Sequence, residues 1–473
     1  MGRWKPSWGI LIGSAVLMML CIEAPVVYGA DRVSQHKNAR AKVPRLTLPE
    51  AVSIAIARNL RMADSRLAIE EKEHQRREAF SDFFPSIDLS YNANWYRYQQ
   101  PTNAQMIGAA QDSRGMRATT NPQPGYFGYY NRIDPYRLFR LTATVTQPLY
   151  TGGKLLNEYK YARLGVDYSA IQMEVNRQDL ILDVYEAYYQ LVQSEKLLQV
   201  AEESVRALEA LRNQTMEFYK AGVVPKVDVL STEGQLAQAR IQRTQSLTDI
   251  EKFKATLCYL LRYPQETPIR VSQDIAYRPN SYTLPNIYAI AAANRPEIRQ
   301  ANISVEQAMA LVKSSKADLL PSVSVQAIGT RMNDDWNPFD REGVNDWRLQ
   351  GLLTWTFDMF RRRETVQERR ASQARTFVAR ELLIEQIMQE VKSAYEDMKR
   401  AESNIRDNRA AVEFRQESFR INQERYKEQV ATYTEVLDAQ RQLALAQGDY
   451  YISLIGYRIN QAILERAMGI LRQ

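Results

Sequence analysis

Four stretches of the chain alternate between apolar and polar residues, the first of them strictly, which is the pattern of a β-strand with one apolar face. They cover residues 86–95, 139–149, 322–327 and 347–357. In the first, isoleucine, leucine, tyrosine, alanine and tryptophan alternate with serine, aspartate and asparagine. A tilted strand of about 9–11 residues is long enough to cross a bilayer. The pattern therefore predicts four transmembrane β-strands.

A soluble sheet packed on a core is the alternative explanation of this pattern. Such a sheet needs a cover for its apolar face, and the segments that flank the strands are amphipathic helices too extended to fold back over it. Aromatic residues suited to the two membrane interfaces are also present. They are Tyr91, Trp95, Trp347 and Trp355. Both observations favour a membrane barrel.

The number of strands carries a prediction about assembly. Four strands cannot close a barrel around a lumen, whereas three chains with four strands each supply twelve, which is within the range of bacterial barrels. The sequence therefore predicts a homotrimer. The polar segments at residues 101–131 and 331–346 join the strands of each pair as external loops.

Two helical segments are much longer than a globular domain needs. Residues 153–218 contain no proline, so the helix predicted there has about 65 residues and a length of about 100 Å. Residues 361–425 show the same pattern. Shorter helices are predicted at residues 48–83, 226–262, 285–319 and 433–470. Two short helices end to end match one long helix, so together they can form the wall of a tube.

The second half of the chain repeats the first. Tyr426 follows Tyr219 by 207 residues, and the segments "YKAGVVPKVDVL" and "YKEQVATYTEVL" that begin there correspond position by position. The same offset relates Val184 to Val391, which are apolar positions of a heptad pattern in the long helices. Such self-similarity indicates two structural repeats.

Upstream of the strands the offset between the repeats is larger. Pro85 in "SDFFPSIDLS" corresponds to Pro321 in "ADLLPSVSVQ", 236 residues later. The first repeat therefore contains about 29 extra residues, which we place in the loop at 101–131. The repeats are predicted to span residues 46–275 and 276–473.

The corner between each strand pair and its long helix differs between the repeats. The first repeat has Gly152 and Gly153 there, whereas the second has Met359 and Phe360. The two corners must therefore differ in shape.

The amino terminus has the features of a secretory signal. Residues 1–30 contain two basic residues, an apolar stretch and small residues suited to cleavage, and residues 31–45 are predicted to form a linker. Cys21 would leave with the signal, although a lipid anchor on this cysteine is an alternative. The exported chain would then retain Cys258 alone and have no internal disulfide.

Charge and chemistry exclude several classes of function. The 62 basic and 55 acidic residues are interspersed along the helices, which indicates solvated faces and not a nucleic-acid site. With only His36 and His74, the chain lacks the residues for a histidine or cysteine metal site or a Ser-His-Asp triad. We therefore expect no enzymatic activity, no cofactor and no metal.

The chain resembles the TolC family of outer-membrane efflux and secretion channels. The resemblance covers nearly all of the mature chain and rests on "LTLPEAVSIAIARNL", "FFPSIDLS", "TQPLYTGGK" and "YKAGVVPKVDVLS", in that order. It implies an α+β fold in which a trimeric twelve-stranded barrel in outer-membrane lipid continues as an α-helical tunnel in the periplasm. It also implies two partners, a periplasmic adaptor protein and an inner-membrane pump.

The resemblance further implies a gate at the periplasmic end of the tunnel. The matching positions are Glu435 and Asp438 for an acidic constriction and Tyr426 for an aromatic that holds the turn closed. Rings of carboxylates repel anions and attract cations, so three copies would favour cations. Asp228 occupies the equivalent turn of the first repeat, although it could equally be a carboxylate that complements a helix dipole.

The two helix turns are also the positions at which the resemblance places adaptor docking. They contain Gly222 and Val223 in the first repeat and Gln429 and Val430 in the second. The second turn departs from the family, because Gln429 and Ala431 stand where glycine and arginine are frequent. The usual gate salt bridge and adaptor contacts are therefore not carried over to that turn.

The sequence favours a passive exit duct for small toxic compounds in a tripartite efflux system. A duct of a type I protein secretion system is the alternative within this class. A periplasmic structural coiled coil without a pore is the alternative from another class.

Overall fold

A computed structural model describes residues 45–96, 136–273, 275, 277, 279, 282–333, 336, 337 and 343–472. The predicted signal peptide, nearly all of the predicted linker and the loop at 101–131 lie outside the described residues. In chain order the elements are β1 (Arg45–Leu46), α1 (Leu48–Arg58), α2 (Leu60–Ser81), β2 (Ser86–Tyr96), β3 (Tyr136–Tyr150), α3 (Lys154–Lys220), α4 (Lys226–Leu261), β4 (Arg270–Val271), α5 (Leu284–Asn294), α6 (Pro296–Ala317), β5 (Ser322–Asn333), β6 (Val344–Thr354), α7 (Met359–Lys427) and α8 (Tyr433–Ala467).

Two short helices, two strands, one long helix and one shorter helix follow one another twice in this order. Four strands form an antiparallel sheet in the order β2-β3-β5-β6, with β2 and β6 at its edges. β1 and β4 form a separate parallel pair. The four predicted strands are confirmed, although β6 ends at Thr354 rather than at Phe357.

The register of the sheet places the apolar rows of all four strands on one face. Leu89, Ala143, Gly329 and Trp347 lie opposite one another across the sheet, and residues opposite one another share a face. Most of this face is uncovered by the described part of the chain: Leu89 is 68% exposed and Trp347 is 81% exposed, although Phe139 at the loop end is 7% exposed. No described helix is long and apolar enough to cross a membrane.

The other face of the sheet is polar. Thr146, Gln326 and Gln350 lie opposite one another on β3, β5 and β6, and the amide of Gln350 donates to the side-chain oxygen of Gln326 at 2.9 Å. An apolar face and a polar face on one sheet are what a barrel wall with lipid outside and water inside requires.

A β-bulge changes the offset between the repeats within the sheet. Ser86 pairs with Thr146, and Ser322 pairs with Thr354, so the strand positions of β3 and β6 are 208 residues apart rather than 207. Leu149 is the additional residue, because the register of β3 shifts on either side of it. The helices beyond the bulge return to the offset of 207.

The long helix α3 has 67 residues, and α7 has 69. α3 contacts five shorter helices along its length: α2 and α6 near the sheet, α4 and α8 at the far end, and also α1. Hydrogen bonds mark these contacts between Ser65 and Asn176, Gln172 and Gln300, Glu209 and Arg240, and Ser204 and Gln440. The predicted end-to-end arrangement of the shorter helices is confirmed.

The predicted helices at 48–83 and 285–319 were wrong in one respect, because each is broken into two. Arg295 precedes a proline, which disfavours helical backbone at that residue, and its ψ is 118°. Asn59 stands at the equivalent position, and its side chain accepts a hydrogen bond from the backbone N–H of Arg61 at 2.9 Å. Each break therefore ends one helix and begins the next.

Arg295 lies at the centre of a charged cluster that joins four helices. Its side chain is 2% exposed and forms ion pairs with Glu390 of α7 and, at 3.5 Å, with Glu297 of α6. It also donates to the backbone carbonyl of Arg466 in α8 at 3.2 Å. Arg466 in turn pairs with Asp179 of α3 at 2.7 Å. Arg466 thus links this cluster of the second repeat, centred on Arg295, to Asp179 of the first repeat.

Replacing Arg295 by methionine should lower stability by about 1–3 kcal/mol, because Glu297 and Glu390 each lose an ion pair and are left with Arg466. The matched control is Arg409→Met on α7, where the arginine is 72% exposed and pairs with the exposed Glu413, and where we expect a change below about 0.5 kcal/mol. Thermal unfolding followed by circular dichroism in detergent measures both. Equal effects for the two variants would contradict a structural role of the cluster.

Candidate functional site: the two helix turns

The two turns between long and shorter helices lie close together at the end of the molecule far from the sheet. We call residues 218–230 the first tip and residues 425–438 the second tip. Phe218 and Tyr426 join them, with ring centroids 5.7 Å apart. The residues predicted for the gate and for adaptor docking all lie in these two tips.

Both tips end their long helix in the same way. In the first tip, the N–H of Val223 donates to the carbonyl of Phe218 at 2.9 Å, and Gly222 has a φ of +73°. In the second tip, the N–H of Val430 donates to the carbonyl of Arg425 at 2.8 Å. This is the Schellman motif, in which a residue in the left-handed conformation follows the helix.

Gln429 takes the left-handed position in the second tip, with a φ of +61°. It stands 207 residues after Gly222, so the two repeats share the backbone conformation but not the residue that favours it. This conformation costs a residue with a Cβ about 1 kcal/mol. With Gln429, the second tip therefore keeps the turn shape of the first tip, and the left-handed conformation adds strain.

Glu435 is held by a capping box at the start of α8. The backbone N–H and the hydroxyl of Thr432 donate to Glu435 Oε1 at 3.2 and 2.9 Å, and the N–H of Glu435 donates back to Thr432 Oγ1 at 3.4 Å. These bonds, together with Arg425 at 3.6 Å, hold the pKa of Glu435 below its usual value. The carboxylate therefore stays charged while it caps the helix.

Asp438 lies one turn further along α8 and pairs with Arg441 at 2.8 Å. The hydrogen bond from Arg441 lowers the pKa of Asp438, and the side chain remains 58% exposed. Asp228 of the first tip occupies the position of Glu435, but Pro225 precedes it where the second tip has Thr432, and no side chain caps that helix. The two tips therefore present their carboxylates differently.

Two tyrosines of the second tip are buried between the repeats. Tyr426 and Tyr433 are each 4% exposed, have ring centroids 6.1 Å apart and pack against Leu211 of α3 and Val436. Burial raises the pKa of Tyr426 and raises that of Tyr433 to about 12, so both hydroxyls remain neutral. Tyr219, the equivalent of Tyr426, is instead 40% exposed.

The predicted docking residues are on the surface. Val223 is 49% exposed and Val430 is 69% exposed, and Gly222 and Gln429 are exposed as well. Apolar side chains at the end of a helical hairpin offer a contact for another protein.

The predicted interface aromatics lie on the sheet and at its helical end. Trp95 and Trp347 lie on the apolar face near the loop end of the sheet, and Tyr91 lies midway along β2. Trp355 follows β6, and its indole N–H donates to the carbonyl of Leu319 at 3.3 Å. All four aromatic side chains are substantially exposed.

A family model described as outer membrane efflux protein matches residues 51–260 and 287–469, which is most of the chain. The chain belongs to the outer membrane efflux protein family. This assigns the protein to the outer membrane, with its helices in the periplasm. The resemblance to TolC-type channels is thereby confirmed.

Curated relatives of this efflux-family protein are distant. The probable efflux pump outer membrane protein TtgC of Pseudomonas putida is 23% identical over 294 residues, 60% of this chain and 58% of TtgC. The chain thus spans less than two thirds of that relative. The outer membrane efflux protein BepC of Brucella suis is 22% identical over 78% of this chain and 83% of BepC.

Solved structures show the same fold. The transmembrane channel protein CusC has a TM-score of 0.74 at 17% identity, over 92% of this chain and 95% of CusC. The Campylobacter jejuni outer membrane channel CmeC has a TM-score of 0.73 at 16% identity, over 93% of this chain and 91% of CmeC. The efflux-family chain therefore has a TolC-type channel fold.

Sequence reasoning missed several residues at the tips of this efflux-family channel. Thr432 carries a local signal, because threonine three residues before glutamate is the pattern of a capping box. Tyr433 and the partner Arg441 carry no such signal. Their burial or pairing depends on the packing of α8 against α3 and on the rotamers within α8.

Replacing Gln429 by glycine should raise stability by about 0.5–1 kcal/mol, because glycine adopts the left-handed conformation without strain. The reciprocal change Gly222→Gln should lower stability by a similar amount, since a Cβ at this position would meet no atom within 4 Å and only backbone strain is added. Hydrogen exchange of the tip amides measures both effects. Destabilisation by Gln429→Gly would show that the glutamine side chain holds the turn.

Proposed function

We propose that this protein is the passive exit duct of a tripartite efflux pump that expels small toxic compounds. The efflux family and the uncovered apolar face of the sheet support this function. Relatives such as TtgC are described as outer membrane proteins of efflux pumps. An inner-membrane pump supplies the energy, and a periplasmic adaptor connects it to the exposed valines of the tips.

The duct in this proposal is a homotrimer, because β2 and β6 are sheet edges that need partners. The repeat predicts how they pair. Thr146 of β3 lies opposite Gln326 of β5. In the other repeat, Thr354 of β6 corresponds to Thr146, and Ser90 of β2 corresponds to Gln326. Thr354 of one copy would therefore lie opposite Ser90 of the next. Both residues belong to the polar face, so apolar rows would continue around a twelve-stranded barrel.

The acidic residues of the second tip supply the gate in this proposal. In a trimer, Glu435 and Asp438 would contribute six charged carboxylates near one axis, and lowered pKa values keep them charged. Tyr426 and Tyr433 anchor the second tip to α3, whereas the first tip lacks an equivalent pair. The second tip is thus the one whose release from α3 would open the passage.

The gate carboxylates can be tested without disturbing the helix cap. Glu435→Gln combined with Asp438→Asn removes both charges, while glutamine still serves in a capping box. We expect cation selectivity and block by added trivalent cations to fall in planar-bilayer recordings. Thr432→Ala is the matched control, because it weakens the cap by about 1 kcal/mol and leaves both charges in place.

An unchanged reversal potential in the charge-removing variant would exclude these residues from the gate. Loss of selectivity in Thr432→Ala as well would assign the effect to the shape of the turn.

The anchoring tyrosine can be tested with its repeat equivalent as control. Tyr426→Ala removes a buried ring and should raise the open probability of single channels while it costs about 3 kcal/mol of local stability. Tyr219→Ala removes a ring that is 40% exposed and should leave the open probability unchanged. Equal changes of open probability in the two variants would contradict the role of Tyr426 as the anchor.

A further inference from the structure

The two long helices have different surroundings within one chain. α3 lies between α2 and α6, whereas the main helix contacts of α7 in the described part of the chain are with α5, α6 and α8. Val175 of α3 is 8% exposed as a result, and its equivalent Leu382 of α7 is 53% exposed. Val378 is exposed beside it. One side of α7 is therefore open along an apolar surface.

The contact that fills this side of α3 includes an ion pair. Lys154 Nζ lies 3.1 Å from Asp318 Oδ1, and Asp318 is the residue that ends α6. By the repeat offsets, Arg361 is the equivalent of Lys154, and Asp82 is the equivalent of Asp318. Asp82 ends α2 just as Asp318 ends α6. Both charges keep their signs in the second pair.

Neither residue of the transferred pair is engaged in a buried contact among the described residues. Arg361 is 79% exposed and pairs with Asp358, three residues before it. Asp82 is exposed and has no ion pair within 4 Å in the part of the chain that the structure describes. The basic group and the acidic group are both available for a partner.

A second contact between α3 and α6 also has complementary equivalents on α7 and α2. The hydroxyl of Ser314 donates to Glu158 at 3.2 Å, and the equivalent residues are Glu78 and Thr365. Hydroxyl and carboxylate have exchanged helices, so the pair remains complementary. The bond between Gln172 and Gln300 does not transfer, because alanine and aspartate stand at the equivalent positions. The complementarity is therefore concentrated at the end of α7 next to the sheet.

We infer that Asp82 of one copy forms an ion pair with Arg361 of the next copy and that α2 fills the open side of α7. This inference rests on the trimer of the proposed function and specifies its joint beneath the barrel. Six basic–acidic joints would then surround the tunnel, three within chains and three between them. In the joint within a chain, a Cβ at Gly152 would meet the carbonyl of Ala317 at 2.8 Å, so the close approach there depends on glycine.

The joint between copies can be detected by cross-linking. Asp82→Cys with Arg361→Cys, treated with a short bis-maleimide in membranes, should yield covalent dimers and trimers on denaturing gels. Lys154→Cys with Asp318→Cys should cross-link within one chain and yield no band of higher mass. The native Cys258 is fully buried and does not compete.

The charge requirement can be tested by exchange of the two residues. Arg361→Glu should remove most of the detergent-resistant trimer, and the double variant Arg361→Glu with Asp82→Arg should restore it. Arg400→Glu is the matched control, because Arg400 is 71% exposed and also pairs with an aspartate three residues before it. It should leave the trimer intact.

The outcomes separate the joint from the assembly. Trimers of the unmodified protein without cross-links at positions 82 and 361, or no recovery in the exchanged variant, would overturn the ion pair and leave the trimer standing. Absence of trimers in the unmodified protein by mass measurement would overturn the proposed assembly itself.

Discussion

Most of the apolar face of the four-stranded sheet has no cover within the described part of the chain, and the architecture follows from keeping that face out of water. A helix could cover it only by folding back, but the helices run away from the sheet for about 100 Å. Lipid is the remaining cover, which agrees with the outer-membrane family. The edges at β2 and β6 add a second requirement, because lipid cannot satisfy backbone hydrogen bonds. The backbone groups at these two edges must therefore form hydrogen bonds with other strands.

The two repeats keep one backbone and vary the side chains that stabilise it. In each repeat two helices have a left-handed residue at their carboxyl end, Gly222 and Arg262 in the first and Gln429 and Gly469 in the second. Glycine is required at position 469, where a Cβ would come within 2.9 Å of the backbone of Arg295. At the other ends, packing around the turn tolerates a side chain. Duplication thus preserved the fold while each half acquired its own partners.

The second tip combines stability and a candidate gate in the same residues. Glu435 caps α8 and carries a charge that we propose for the constriction, so an alanine substitution there would confound two effects. Tyr426 is buried because α8 brings Tyr433 and Val436 against it, whereas Tyr219 has no such neighbours. The different burial of Tyr426 and Tyr219 arises from packing and not from the end of the long helix, since both long helices end with the same type of backbone hydrogen bond.

Strand number, helix length and the repeat offset were determined by the sequence, because alternation and the heptad period are local and report directly on which positions face apolar surroundings. The breaks at Asn59 and Arg295 could be located only in part, through the proline at 296. The tertiary structure decided which tyrosine is buried and which carboxylates surround Arg295. The partners of Arg295, Glu390 and Arg466, lie 95 and 171 residues further along the chain. Periodicity indicates that a position is buried, but it does not identify the side chains that meet there.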